Sequence, residues 1–103
     1  MGETDDFEWD DDKDAANRLK HGLPLPLAAR LFDGRPRLER PSRGERGEPR
    51  FETIAAFGED VLLCAWTWRG RRRRAISFRY ANEVERHAYQ KAIGGGGPVG
   101  QDG

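Results

Sequence analysis

The stretch that most constrains the fold is RFETIAAFGEDVLLCAWTWRGRRRRAISFRY, residues 50 to 80. It contains three runs of strand-forming residues, Arg50 to Phe57, Val61 to Arg69 and Arg73 to Tyr80. The short turn sequences GED and RGR separate these runs, and turns of this length join neighbouring antiparallel strands. The pattern therefore predicts a three-stranded antiparallel meander.

The middle run is apolar on both faces, which predicts a central position in the sheet. Side chains alternate along a strand, so the third run should divide its residues between two faces. Alternation places Ile76, Phe78 and Tyr80 on one face and Arg73, Ala75, Ser77 and Arg79 on the other. Arg74 is then expected to point away from Arg79, which favours a structural role for Arg74.

Two helices are predicted before the meander. The acids after the short extended piece Phe7 to Trp9 suit a helix N-terminus, and Gly22 suits its end, so the first helix should run from about Asp11 to Lys20. Its apolar residues at helical spacing are expected to face the core: Ala15, Ala16 and Leu19. Pro26 is well placed to begin a shorter helix that ends near Asp33.

One helix is predicted after the meander, because Asn82 and Glu85 have the spacing of a capping box; it should end near Ile93. Between the helices and the meander, the segment Arg35 to Glu48 has hardly any apolar residues, which predicts a mobile loop. A brief strand near Arg37 to Glu39 is an alternative for part of it. We therefore expect an α+β domain over residues 1–93, with a sheet of three to four antiparallel strands, and a flexible glycine-rich tail over 94–103.

Charge is distributed unevenly along a chain whose formal net charge is zero. Residues 1–14 hold eight acids against Lys13, a net of −7, so the other residues carry +7. A basic body favours polyanionic partners. The one cysteine, Cys64, lies in the apolar run VLLCAW and is expected to be a buried, inert thiol. The absence of a disulfide framework, of a signal peptide and of a membrane-spanning run predicts a soluble, cytoplasmic protein.

The segments FEWDDDKDAANRLKHG, RFETIAAFG, ISFR and ANEVERHAY, in this order, resemble the BrnT family of small toxins over roughly residues 7–90. The resemblance is carried by Trp9, Asp10, Lys13, Asn17, Lys20, His21, Gly22, Arg50, Ser77, Arg79, Glu85, Arg86 and Tyr89. It implies a RelE-like fold and a ribonuclease toxin neutralised by a BrnA-type antitoxin. Contact with DNA is then expected only through the antitoxin, and no membrane partner is expected.

A ribonuclease of this kind uses the 2′-hydroxyl of the RNA as nucleophile, so neither a metal nor a cofactor is expected. It needs a base, an acid and positive donors around the scissile phosphate. Arginine suits the last role because its planar fork binds phosphate oxygens bidentately. The candidates for phosphate contact are Arg79, Arg50 and Arg74, with Ser77 beside Arg79. His21 is a candidate acid or base and Lys20 a phosphate ligand, although both also suit a helix C-terminus.

The arginines at the second turn, Arg71, Arg72 and Arg73, are expected to form a solvated rim that attracts RNA without catalysing its cleavage. Several other residues favour structural roles: Glu85 in the capping box, His87 on the helix surface, Tyr89 in packing, and Trp9, Trp66 and Trp68 in the core, with exposure of Trp68 left open. The alternative functions are a non-catalytic module that binds nucleic acid or protein, and a toxin that has lost its activity.

Overall fold

Six strands form one mixed sheet in the computed structural model, which describes residues 2–42 and 48–95. In chain order the elements are β1 (Gly2–Glu3), β2 (Phe7–Trp9), α1 (Asp11–His21), a 3-10 helix (Leu25–Phe32), β3 (Arg37–Ser42), β4 (Arg50–Phe57), β5 (Asp60–Arg69), β6 (Arg72–Tyr80) and α2 (Glu83–Gln90), which continues into a π-helical turn (Lys91–Gly95). The spatial order of the strands is β1-β2-β6-β5-β4-β3.

The predicted meander is confirmed, because β4, β5 and β6 pair antiparallel in sequence order and β5 lies inside the sheet. Gly58 and Gly70 each adopt a positive φ in the two turns, a conformation that glycine accepts at little cost. The α+β class is also confirmed. The expectation of three to four antiparallel strands is wrong, because β2 pairs parallel with β6 and β1 and β3 extend the two edges.

β3 forms within the segment that was expected to be a loop. Its polar side chains find partners across the strand pair: Arg40 Nε donates to Glu52 at 3.0 Å, and Thr53 Oγ1 donates to Glu39 at 3.0 Å. Cross-strand ion pairs and hydrogen bonds of this kind stabilise a strand that has few apolar residues. The rest of the predicted loop, residues 43–47, lies outside the described residues, as do residues 96–103 of the predicted tail.

The second helix forms where predicted but as a 3-10 helix. Its buried residues, Leu25, Ala28 and Leu31, recur every three positions, which is the period that aligns side chains on a 3-10 helix. They pack on one face of the sheet with Phe7, Cys64, Trp66 and Phe78 to form the main core. We call this face of the sheet the aromatic face.

Helix α1 begins and ends as predicted, with Asp10 as N-cap and Gly22 as the left-handed C-cap, but its buried side is polar. Leu19 is 90% exposed, whereas Asp14 and Asn17 are buried. The Asn17 amide donates to the carbonyls of Leu23 and Phe78 and accepts from the Phe78 N–H at 3.0 Å. Hydrogen bonds therefore hold α1 against β6, and the prediction of an apolar inner side was wrong.

Helix α2 covers part of the opposite face of the sheet. Tyr89 packs with Ile54 and Leu63 in a second, smaller core, and His87 is exposed, as predicted for both residues. The capping box is present: Glu85 N–H donates to Asn82 at 2.8 Å, and Asn82 N–H donates to Glu85 at 2.9 Å.

A β-bulge in β6 changes which side chains share a face. Ala65 lies opposite Ser77, but the next residue of β5 lies opposite Ala75, so Ile76 is an extra residue in the strand. Ala75 consequently joins the main core with Phe78. Arg74 turns to the same face as Ser77, which contradicts the prediction from strict alternation.

Candidate functional site

The sheet face on which α2 packs is only half covered. Ile54 and Leu63 are buried beneath α2, whereas Ala65, two residues further along β5, is only half-buried. The strand register places Glu52 and Ser77 on either side of Ala65. We call the uncovered part the open face; its side chains are Arg40, Arg50, Glu52, Ala65, Thr67, Arg74 and Ser77.

A hollow of about 140 Å³ lies at the end of the open face nearest the β5–β6 turn. Four cationic side chains and one carboxylate line it: Lys13, Arg50, Arg69 and Arg74, with Glu48. Thr67 also lines the hollow, and its hydroxyl donates to the carbonyl of Pro49 at 2.6 Å, which fixes the backbone beside Arg50.

Two of the four cations have carboxylate partners. Arg50 contacts Glu48 at 3.3 Å, and Arg74 contacts the buried Glu8 at 2.7 Å. The parallel pairing of β2 with β6 sets Glu8 directly beside Arg74. Within residues 2–42 and 48–95, Lys13 and Arg69 have no carboxylate at ion-pair distance, so the hollow keeps an excess of positive charge.

Arg79 lies at the border between the open face and α2. Its two terminal nitrogens donate to the two oxygens of Glu85 at 2.8 and 2.9 Å. The Arg79 hydrogen bonds lower the pKa of Glu85, and the same bonds raise the pKa of Arg79. Arg40 joins this group through Glu52 at 3.0 Å and Glu85 at 4.0 Å. In this arrangement Arg79 attaches α2 to the sheet.

Arg50 and Arg79 share a face but not a hollow. Arg50 lies in the row of Thr67 and Arg74, whereas Arg79 lies opposite Leu63, two rows away and about 13 Å along the strands. Ser77 occupies the row between them. The structure thus groups Arg50 with Arg74, the residue that alternation had assigned to the other face.

Lys20 and His21 lie in the last turn of α1, as predicted. Lys13, in the first turn of the same helix, lines the hollow. The separation of seven to eight residues corresponds to about 10 to 12 Å along the helix axis. Lys20 and His21 are therefore not brought into the hollow, and their catalytic roles stay predictions.

The three arginines at the β5–β6 turn differ in their surroundings. Arg71 is exposed, as expected of a solvated rim. Arg72 instead donates to the Thr4 carbonyl at 2.8 Å and contacts Glu3 at 3.3 Å. Arg73 packs on the aromatic face, with its guanidinium carbon 4.3 Å from the centre of the Phe32 ring. The solvated-rim prediction is wrong for Arg73, because the aromatic face holds its side chain. Arg72 stays partly exposed but is bound to the N-terminal segment.

Sequence reasoning left out four residues of the hollow or its support: Glu8, Glu48, Thr67 and Arg69. Arg69 is the first arginine of the segment RGRRRR, residues 69–74, and Thr67 precedes it by two residues. Side chains two apart on a strand share a face, so this spacing could have identified both residues. Glu8 reaches the site through the parallel pairing of β2 with β6, which no local pattern predicts. Glu48 lies two residues before the predicted start of β4, inside the segment that was expected to be a loop.

Cys64 is fully buried, as expected, and burial raises the pKa of its thiol. The described part of the chain contains no cluster of three or more histidine, cysteine, aspartate or glutamate side chains arranged to hold a metal ion. In the same residues, no helix has the length and apolar character to cross a membrane.

The structure is a small α+β protein with a positively charged hollow on a partly uncovered sheet. Such a hollow is suited to binding a chain that carries phosphates. The chain matches a family model described as "Ribonuclease toxin, BrnT, of type II toxin-antitoxin system" over residues 9–85. Since the match covers well over half of its length, the chain belongs to the BrnT ribonuclease toxin family, and the resemblance seen in the sequence is confirmed. No curated protein matches the chain. Membership implies an antitoxin partner and RNA as the target.

Proposed function

We propose that this toxin is a metal-independent endoribonuclease that binds the scissile phosphate of RNA in the hollow and cleaves by attack of the adjacent 2′-hydroxyl. The observation that carries the proposal is the grouping of Arg50 and Arg74 with Lys13 and Arg69 in one hollow. Four cations line this hollow with one carboxylate, and such an excess of positive charge favours a bound phosphate.

Arg50 and Arg74 would donate to the phosphate oxygens and stabilise the charge that develops on them in the transition state. Their ion pairs hold both side chains in place, and a held donor loses little entropy when the substrate arrives. Lys13 and Arg69 would attract the flanking phosphates.

Glu48 is the carboxylate that would accept the proton of the 2′-hydroxyl, because it lines the hollow and contacts Arg50 at 3.3 Å. The 2′-oxygen would bond to phosphorus as the bond from phosphorus to the 5′-oxygen breaks, and solvent water would protonate the leaving 5′-oxygen. Ser77, one row away, would donate a hydrogen bond to the RNA. Arg79 would act from the border by positioning α2 and adding positive charge. Lys20 and His21 would contact RNA beyond the hollow, about 10 to 12 Å further along α1.

The biological setting follows from the same proposal. The catalytic domain would comprise residues 1–93, with a fold of the RelE kind, and would act in the cytoplasm to inhibit translation and growth. A BrnA-type antitoxin would neutralise it by covering the basic hollow, and DNA contact would come only from the antitoxin.

Incubation of the purified protein with single-stranded RNA in EDTA tests the proposal. The wild type should cleave and leave 2′,3′-cyclic phosphate ends. Arg50→Ala should lower the rate by about 10²- to 10³-fold, the usual cost of one oxyanion donor. Arg86→Ala is the matched control, since Arg86 is exposed on α2 away from the open face. Full activity in Arg50→Ala, or intact RNA with the wild type, would contradict the proposal.

A non-catalytic RNA-binding module is the second candidate. One observation favours it: neither His21 nor His87 lines the hollow, so no imidazole lies beside the bound phosphate to transfer a proton. In that case RNA would bind with an affinity that falls as salt rises, but it would stay intact, and expression would not arrest growth.

A further inference from the structure

The strongest feature that the proposed function leaves unused is an arginine held among aromatic rings on the aromatic face, opposite the hollow. The Arg73 guanidinium carbon lies 4.3, 4.9 and 5.1 Å from the ring centres of Phe32, Trp66 and Trp68. These distances are within the range of cation–π attraction. The three rings surround the guanidinium without neutralising its charge.

Arg73 is a cation whose bonding capacity is not filled. Its Nε is buried and has no hydrogen-bond partner. In the described chain no carboxylate lies at ion-pair distance from it, whereas the neighbouring Arg72 and Arg74 contact Glu3 and Glu8. Because Arg73 as a whole is partly exposed, its terminal nitrogens, and not the buried Nε, are the atoms that an anion would contact.

Trp68 supplies the apolar half of the same surface. It lies directly across the strand pair from Arg73 and is 48% exposed, whereas Trp66 is 3% exposed. The two indoles meet edge to face at 5.1 Å and 88°, so Trp66 supports the Trp68 ring without stacking on it. An indole in this position leaves ring surface free, and nucleobases stack on such surfaces.

The hollow and this aromatic surface are joined around the β5–β6 turn. Arg69 lines the hollow and Trp68 lies on the aromatic face, although they are neighbours in β5. Arg71, at the turn between them, is exposed and has no carboxylate at ion-pair distance among the described residues. Three arginines of the segment RGRRRR have no such partner within residues 2–42 and 48–95: Arg69, Arg71 and Arg73. They therefore follow one path from the hollow around the turn to Trp68.

We propose that Trp68 and Arg73 form a nucleotide subsite, in which a base flanking the cleaved bond stacks on Trp68 and its phosphate contacts Arg73. The proposal rests on the proposed function, because it takes RNA bound in the hollow as its starting point. A nucleotide fits better than an acidic polypeptide, since a carboxylate would use the cation and leave the indole bare.

Binding of a fully 2′-O-methylated single-stranded RNA tests the subsite, because this probe has no free 2′-hydroxyl and cannot be cleaved by the proposed mechanism. Trp68→Ala should raise the Kd by about 5- to 150-fold, the cost of losing one stacked base. Trp68→Phe keeps an aromatic ring and should stay within about threefold of the wild type. Leu19→Ala, which truncates a side chain that is 90% exposed on α1, is the matched control and should leave the Kd unchanged.

A scan with single abasic sites identifies the base that stacks. At one position the abasic RNA should bind the wild type more weakly, and at that position Trp68→Ala should cause no further loss. Arg73→Lys keeps the charge but loses the planar fork, and it should weaken binding of intact RNA. Circular dichroism and urea unfolding would establish that each variant is folded.

The subsite is overturned if Trp68→Ala binds the methylated RNA as the wild type does, or if no abasic position couples to Trp68. It is also overturned if Trp68→Ala and Arg73→Lys weaken binding of polyglutamate but not of RNA, because the surface would then take an acidic polypeptide. Cleavage of unmodified RNA separates this test from the proposed function. Intact RNA together with Trp68-dependent binding removes only the nuclease, and cleavage without a Trp68 effect removes only the subsite.

Discussion

Arg73 and Arg74 are neighbours in the sequence that lie on opposite faces of β6 and are held in opposite ways. Arg73 packs among three rings, with Trp68 across the strand pair, whereas Arg74 contacts Glu8 at 2.7 Å and lines the hollow. The contrast shows that the roles of identical residues in one block are set by what the sheet places opposite each of them. Composition alone does not distinguish them.

The same contrast extends to the two faces of the sheet. On the aromatic face Cys64, Ala75 and Phe78 are at most 1% exposed beneath the 3-10 helix. On the open face Ala65 and Ser77 are half-buried, one row away from the residues Thr67 and Arg74 that line the charged hollow. Apolar burial supplies most of the folding free energy, so the aromatic face should determine stability while the open face is free to bind.

The largest effect should separate the two faces at adjacent positions. Phe78→Ala should lower the free energy of unfolding by about 3–5 kcal/mol, because it leaves a cavity in the main core. Ser77→Ala should change stability by less than about 0.5 kcal/mol and slow RNA cleavage about tenfold, the value of one hydrogen bond. Urea unfolding and the EDTA cleavage assay measure the two quantities. Equal losses of stability in Phe78→Ala and Ser77→Ala would contradict the proposed difference between the two faces.

A smaller effect should come from the ion pair between α2 and the open face. Glu85→Gln keeps a capping-box residue but removes the charge that Arg79 binds, so stability at pH 7 should fall by about 2 kcal/mol. Because the folded-state pKa of Glu85 is below its ordinary value of 4.5, the wild type should lose this advantage as the pH falls through the folded-state value. Urea unfolding from pH 7 down to about pH 3 should show the free energies of unfolding of the wild type and Glu85→Gln approaching each other.

Glu83→Gln is the control for this experiment, since Glu83 is an exposed acid in the same first turn of α2. It should leave stability nearly unchanged at both ends of the pH range. A difference between wild type and Glu85→Gln that stays constant down to pH 3 would show that the charge of Glu85 does not stabilise the docking of α2.

The smallest effect should come from the turn that carries Trp68 to one face and Arg69 to the other. Gly70 has a φ of 61°, and a Cβ built there meets no atom within 4 Å, so Gly70→Ala should cost only backbone strain, about 1 kcal/mol. Gly94→Ala, at a glycine with no positive φ and equally open space, should not reduce stability. Equal thermal unfolding of the two variants would contradict this expectation.

Much of the fold could be predicted from the sequence because its signals are local. The two turns, the capping box and the apolar middle strand each depend on a few neighbouring residues. The bulge at Ile76 could not be predicted, since an extra residue in one strand is visible only against its partner. Its consequence for the site was large, because it moved Arg74 into the hollow.

Two further errors have a common cause, which is that pairing partners far apart in the chain outweighed local composition. β3 forms in a segment poor in apolar residues because β4 supplies its ion-pair partner, and α1 buries Asp14 and Asn17 because Leu23, Leu25 and Phe78 offer backbone partners. For the site, the resemblance identified Arg50 and Ser77 as candidates. Their grouping with Arg69 and Arg74 required the sheet register.

The three hydrogen bonds of Asn17 to Leu23 and Phe78 also bear on how the toxin behaves when crowded. β2 pairs with only the first part of β6, so at Phe78 the edge of β6 that faces away from β5 has no neighbouring strand among the described residues. Exposed strand edges invite pairing with other chains, and a side-chain amide that occupies both backbone groups closes that edge. Asn17→Leu should therefore promote aggregation during expression as well as weaken the attachment of α1, a result that light scattering of the purified variant would show.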